Sequence, residues 1–507
     1  MITIDKQSQL NLEDLVQVAR EYQKVEISKD SLDAIDHSHE QIQLILEKSK
    51  PVYGINTGYG IFADKTIPEN QIRLLNRNLI ISHAVASGEP LDSDIVRAAI
   101  LVRANTLAKG FSGVSKELIL GLVEMLNKRV TPIIPRQGSL GSSGDLCLLS
   151  HLALVLTRDD DDREEESGLA DFNGAILSGK KAMELAKIDR IILGPKEGLA
   201  LNNGATFSAA IGALTVADAE YLLRVAEISA ALSMEALRAC SAAFDDRIHQ
   251  LRLHHGQITT ARNIRSLLEG SNLIDSSGKV QDAYSLRCAP QVQGAIRDSI
   301  HYVHQVIEKE INAVTDNPLI FEPGIALSGG NFHGEPVGIV MDLLGIALCE
   351  LGAISERRTF RLSDEFLSNG LPPMLVDQNQ NAGLNSGLMI PQYTAASLVL
   401  ENQTLATPDS IRSLPTSANQ EDHNANATTA ARHAREIAEN VRQILAIELY
   451  TAAHAIDLRM KNTQVKLGTG TGLAYQKIRE VVPYHSRDAL WGPEIQKINQ
   501  MIKDRIF

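Results

Sequence analysis

The chain has 507 residues, of which 44% are hydrophobic and 22% charged, an ordinary balance for a globular protein and enough chain for two or three average domains or one large helical enzyme. Its 62 acidic and 49 basic residues leave a formal charge of -13, which argues against nucleic acid or an anionic membrane as the main partner. Cys147, Cys240, Cys288 and Cys349 lie in different segments without paired spacing, so neither a zinc site nor a disulfide framework is expected, and a reducing cytoplasm fits. Met1–Lys6 has no basic head leading into a long apolar core, so no signal peptide is expected, and no apolar run reads as long enough to span a membrane.

In chain order, residues 11–50 read as short amphipathic helices, carried by Leu12, Leu15, Val16 and Val18 and then by Ile42, Leu44, Ile45 and Leu46. The stretch from Val52 to Gly60 breaks that pattern with Gly54, Gly58 and Gly60 among aromatic and polar residues, which predicts a loop able to move. Helical patterning returns at Ile72, Leu75 and Leu79, with Pro68 suited to a first turn, and again over 92–109 and 115–128. Thr131 to Pro135 should be extended, because proline fixes its own φ and biases its predecessor away from helix. The apolar run Leu146–Leu156 reads as a helix, and Asp159–Glu166 as a solvated acidic loop or hairpin tip rather than a metal site. From about residue 214 onward long helices dominate: an apolar stripe from Ile300 to Val314 ending near Asp316-Asn317-Pro318, a run over 335–361, and another over 428–460. Several helices longer than the ~11–12-residue average predict a mostly α fold: a long-helix bundle core with a smaller N-terminal helix-and-loop region. The division expected is 1–200 for that N-terminal region and 201–507 for the bundle, as one continuous unit. Gly468–Gly472 resembles a nucleotide fingerprint, but no strand precedes it and a turn is the better reading.

Between the extended stretch and the helix at 146 lies Gly138-Ser139-Leu140-Gly141-Ser142-Ser143-Gly144-Asp145. One reading is a tight loop with Asp145 as a helix cap. A phosphate cradle is disfavoured, since no Lys-Ser/Thr follows the glycines. A third reading is chemical. The Gly144 amide nitrogen, with no Cβ in its way, can attack the Ser142 carbonyl carbon, and dehydration with loss of the Ser143 hydroxyl would leave a 4-methylidene-imidazol-5-one ring, an electrophile that no unmodified side chain supplies.

Eight blocks in order bear on this: Tyr53–Gly58, Ser82-His83, Gly138–Asp145, Leu201–Gly204, Gln281–Cys288, Thr315–Pro318, Gly329–Pro336 and Asn419–His423. With them, the chain resembles the methylidene-imidazolone (MIO) ammonia-lyases and aminomutases, and within them most closely the lyases acting on histidine. The resemblance implies a mostly α-helical homotetramer with active sites shared between subunits, the MIO turn lying in the N-terminal region. It implies elimination of ammonia from L-histidine to give urocanate in the cytoplasm, with MIO formed from Ser142, Ser143 and Gly144 and with no metal or dissociable cofactor. A tyrosine or phenylalanine lyase, or a 2,3-aminomutase, is the alternative. By the same resemblance Tyr53 is the catalytic base, and Tyr284 and Glu421 join it and Ser143 as catalytic residues. Arg287 clamps the substrate carboxylate, as a guanidinium's parallel donors suit. Asn203, Gln281 and Phe332 line ring or substrate, and His83, Glu421 and the apolar Met389 bear on side-chain choice.

Three positions depart from the family pattern. The cyclising triad usually begins with alanine, here Ser142. Cys147-Leu148 stands where Ala-Pro is common. Asn424–Ala427 replaces the usual Val-Ser-Met-Gly near the specificity region.

Overall fold

The computed structural model describes residues 1–48, 50–377 and 383–507. The chain is mainly helical. The first helices are α1 (Leu12–Arg20), α2 (Lys29–Glu47), α3 (Ile72–His83), α4 (Ser93–Ala108), α5 (Lys116–Lys128), α6 (Leu146–Leu156), α7 (Gly179–Ala186) and α8 (Glu197–Asn202). They are followed by α9 (Thr206–Ala236), α10 (Asp246–Gln250), α11 (His255–Leu268), α12 (Tyr284–Arg287) and α13 (Ala289–Glu310). The last are α14 (Glu335–Ser363), α15 (Met389–Leu405), α16 (Ala427–Asn462), α17 (Thr469–Val481) and α18 (Trp491–Lys503). Strands are two to four residues long and pair in sheets of two or three, such as Ser87–Pro90 with Pro135–Gln137.

Two compact units result. The first comprises residues 1–217, 304–342 and 408–432; the second, 218–303, 343–407 and 433–507.

In the first unit, α4 is buried from Ile95 to Ala108, so its sequence shows no polar face. The two charged side chains of that buried stretch are put to use inside. Arg97 donates to the carbonyls of Val18 (2.7 Å), Ala19 (3.1 Å) and Leu126 (3.2 Å), which are last-turn oxygens of α1 and α5. Arg103 donates to the carbonyl of Ala200 in α8 (3.2 Å) and to Thr206 Oγ1. Helices α3, α6 and α8 pack on one another and carry the ends from which the site is built.

A buried ion pair underlies the same region. Lys196 Nζ lies 2.6 Å from Asp316 Oδ2 with both side chains 0% exposed, and Ser112 Oγ donates to Asp316 Oδ1 at 2.8 Å. Asp316→Ala would leave an ammonium buried without its counter-charge. The expected cost is about 3–5 kcal/mol of unfolding free energy, read from urea denaturation.

In the second unit, Glu448 of α16 receives Arg358 (2.5 and 2.8 Å) and Ser355 (2.6 Å) from α14 and Ser233 (2.7 Å) from α9, tying three long helices through one fully buried carboxylate.

Three local expectations need correction. Helix α14 is long and apolar enough to cross a membrane by length and composition, with a window of mean hydropathy 2.0, against the reading that no run reaches that length. However, 67% of that window is buried inside the protein's own fold, and a core helix surrounded by protein has no need of a polar face. Gly468 is not the start of a turn but the N-cap residue of α17. The acidic run is not merely solvated: Asp162 pairs with Arg190, whose side chain is 4% exposed, and Glu166 lies 3.8 Å from the equally buried Arg77.

Candidate active site

The Gly138–Asp145 loop enters from the strand Pro135–Gln137 and leaves into α6. Asp145 stands at the N-cap position of α6 but makes no cap bond. Its buried carboxylate instead anchors the loop. Oδ1 accepts from Ser139 Oγ (2.7 Å) and from Thr428 Oγ1, and Oδ2 from Ser208 N (2.9 Å) and Oγ (3.1 Å). Gly141 O accepts from Gly334 N (3.0 Å) and Leu140 O from Asn426 N (2.8 Å). Glu310, at the end of α13, is pushed up to about 7 by burial and by the charge of Asp145.

The turn itself lies against Gly204, which follows Asn203 at the end of α8. Gly144 and Gly204 form a parallel bridge, closed by Asp145 N to Gly204 O (2.9 Å) and Gly204 N to Ser143 O (3.2 Å). Gly144 has φ +77°, and a Cβ there would stand 2.1 Å from the Gly204 carbonyl carbon, so no other residue fits. Asn203 Nδ2 donates to the same Ser143 oxygen at 2.8 Å, while the buried Asn203 Oδ1 has no partner. Two N–H donors therefore converge on one carbonyl, the arrangement of an oxyanion hole.

Glu421 reaches the turn from the far end of this unit's sequence. A tight loop, with Ala418 at φ +53° and a bridge between Thr416 and Glu421, turns the carboxylate back. Ser143 Oγ donates to Glu421 Oε1 at 2.6 Å and Ser142 Oγ to Oε2 at 3.0 Å.

Tyr53 lies in the predicted glycine-containing loop, with its hydroxyl accepting from Gly60 N at 3.5 Å and its ring edge-on to Tyr59. The loop is pinned by Asn56, whose side chain accepts from Val52 N (2.7 Å) and donates to Lys50 O (3.0 Å). Burial raises the Tyr53 phenol above its ordinary value, a weak bond from Gly60 opposes this, and the charge of Glu421 adds to it. His83 ends α3 with Nδ1 3.0 Å from Ser82 Oγ, and burial lowers it, so its imidazole is neutral at pH 7.

These groups share two adjoining cavities of about 750 and 510 Å³, within the usual size range of small-molecule sites. Tyr53, Ser143, Asn203 and Glu421 line both. His83 lines the first; Phe332 and Ser142 line the second. Gln281, Tyr284, Arg287 and Met389 line neither and belong to the second unit. There Tyr284 is 70% exposed, with the Arg287 guanidinium 4.7 Å above its ring and Arg287 Nε buried without a partner.

Residues 424–427 line neither cavity. The buried Asn424 latches the loop by accepting from Leu414 N (3.1 Å) and by its own N–H to Ser413 Oγ (2.9 Å). The sequence reading missed Thr428 and Ser208 as partners of Asp145 and Gly204 as a donor. An isolated Thr or Ser carries no signal of such a role, whereas the Asn203-Gly204 pair did.

The family described as aromatic amino acid lyase matches residues 10–480. The chain belongs to that family. It is similar to the histidine ammonia-lyase of Caldanaerobacter subterraneus subsp. tengcongensis, 48% identical over 499 residues that span 98% of this chain and 92% of the relative. Among solved structures it is similar to histidine ammonia-lyase from Trypanosoma cruzi, with a TM-score of 0.90 and 37% identity over 99% of this chain and 94% of the other. It is also similar to the phenylalanine aminomutase of Pantoea agglomerans, with a TM-score of 0.93 and 32% identity over 99% of each chain. This family member is accordingly an enzyme and a lyase by kinship, and its mostly helical fold is the family's.

Proposed function

We propose that the protein eliminates ammonia from L-histidine to give urocanate, using an MIO group formed from Ser142, Ser143 and Gly144. The observation that carries this reading is the Ser143 carbonyl oxygen held by Asn203 Nδ2 (2.8 Å) and Gly204 N (3.2 Å), on a cavity wall shared with Tyr53 and Glu421. The residues suit the group. In ring formation the Gly144 N–H adds to the Ser142 carbonyl, whose oxygen leaves as water with hydrogens from the Gly144 and Ser143 amides. The Ser143 Cα–H and hydroxyl then leave as a second water. The Ser143 carbonyl survives both steps, so the two donors would face the ring carbonyl, and the Gly144–Gly204 approach leaves no room for a side chain.

The completed ring supplies an electrophilic carbon. Asn203 and Gly204 stabilise charge developing on the carbonyl oxygen. Tyr53 removes the β-proton, for which it must first be deprotonated. Glu421 and His83 offer an acceptor and a neutral imidazole to the substrate ring, whose buried N–H would otherwise go unpaired at a cost of about 1–3 kcal/mol. Arg287 clamps the carboxylate. We infer that it and Tyr284 act in the site of another copy within a homotetramer; the 70% exposure of Tyr284 beside the partnerless Arg287 Nε supports this. The four free cysteines support a cytoplasmic setting.

The test is a panel of histidine, tyrosine and phenylalanine. Rising near-ultraviolet absorbance with histidine is the expected result. A rise only with tyrosine or phenylalanine overturns the substrate, and a β-amino acid product overturns elimination in favour of a 2,3-aminomutase.

A further inference from the structure

Glu421 is held at both oxygens by the residues that form the turn. Oε1 accepts from Ser143 Oγ at 2.6 Å; Oε2 accepts from Ser142 Oγ at 3.0 Å and, at the edge of bonding distance, from Thr416 Oγ1 at 3.5 Å. These two serines have different fates if the turn dehydrates. The Ser143 hydroxyl leaves as water, which strips Oε1 of its donor. The Ser142 hydroxyl takes no part in either dehydration and remains on the side chain that becomes the ring's substituent. Maturation thus converts a carboxylate bound at both ends into one bound at Oε2 and open at Oε1, on the wall of the cavity that His83 also lines.

We propose that Ser142 is a positioning residue for substrate choice: its hydroxyl pins Oε2 of Glu421 so that Oε1 meets the ring N–H of an imidazole substrate. This rests on the histidine reading above. The physical reason is torsional. A carboxylate held only by Thr416 at 3.5 Å can rotate about its terminal bond, and ordering it is then charged against substrate binding. A hydroxyl bonded to a charged acceptor is among the stronger hydrogen bonds. Ser142 is 5% exposed, and the bond it makes to Glu421 is partly buried. Alanine, which the family usually carries at this position, cannot supply it, so this chain has a constraint on Glu421 that depends on its own first triad residue.

The experiment compares the full-length parent with Ser142→Ala. Intact mass comes first, since both proteins should be lighter than the encoded chain by two waters. Equilibrium binding of urocanate and of cinnamate, which has the same side arm on a phenyl ring, is then measured by calorimetry, with steady-state kinetics on histidine. Ser142→Ala is expected to weaken urocanate about tenfold and leave cinnamate within about twofold. KM for histidine should rise about tenfold, with kcat changing less than about threefold. Unchanged urocanate affinity and KM, or equal weakening of both ligands, overturns the proposal. So does a Ser142→Ala chain lacking the two-water loss, because Ser142 would then act in maturation. A parent that does not turn over histidine overturns the histidine reading and this proposal together; an active parent with an indifferent variant overturns this proposal alone.

Discussion

Ser143→Ala will lose about 10³-fold or more in kcat and will not show the two-water loss from the mass of its encoded chain. The substitution removes one oxygen and nothing from the helical scaffold. Glu421 Oε1 loses a donor, but the loop keeps the four bonds to Asp145 and the bridge between Gly144 and Gly204. Folding should therefore survive, and thermal melting should shift little. What disappears is the second dehydration, for without a Cβ hydroxyl there is no exocyclic double bond and hence no electrophile. Losses of that size accompany removal of the central group in covalent catalysis. Parent protein two waters below its own encoded mass, Ser143→Ala short of its own encoded mass by one water at most, and activity confined to the parent, is the paired result. Appreciable turnover by a Ser143→Ala chain that lacks the two-water loss sinks the MIO reading outright.

Tyr53→Phe will cost about 10²–10⁴-fold in kcat, the range for a positioned general base, while substrate still binds. Its pH dependence carries the sharper information. Burial, followed by the charge of Glu421, raises the Tyr53 phenol above its ordinary value. A base works only when deprotonated, so below that raised value kcat/KM should climb as pH rises, approaching tenfold per unit, until the phenolate is fully formed. Glu421→Gln removes the charge that adds to the effect of burial. The rising limb should therefore move to lower pH even as affinity for the imidazole falls. A limb that stays in place in Glu421→Gln, or a Tyr53→Phe enzyme with the parent's profile, means that another group takes the proton.

The helices were readable because each long one leaves a periodic trace in the chain. Lys116–Lys128 and Ala427–Asn462 begin and end within about two residues of expectation, the usual uncertainty of helix ends. The run over 335–361 reads as a helix and α14 is one; what that reading misses is that it is long and apolar enough to pass for a membrane span, because a helix enclosed by protein needs no polar face. The loop at 138–145 stood out because three glycines among serines serve no regular element, and Gly144 indeed lies at positive φ. The anchoring of Asp145 was not readable. Its partners Ser139, Ser208 and Thr428 are scattered small polar residues whose only mark of purpose is where the fold places them.

The order of residues alone determined the backbone arrangement on which the proposed ring closure depends. A glycine amide two positions after a carbonyl, with a serine between them, is a local arrangement, and local chemistry is written in neighbouring letters. Tertiary structure decided what surrounds that carbonyl. Asn203 lies 60 positions from Ser143 and Glu421 lies 278 from it, yet both reach bonding distance. Such approaches depend on how helices pack and how loops return, and a one-dimensional pattern does not encode those distances. The same division separates Tyr53 and Ser143, which the first unit's fold brings to one cavity, from Arg287 and Tyr284, which it does not.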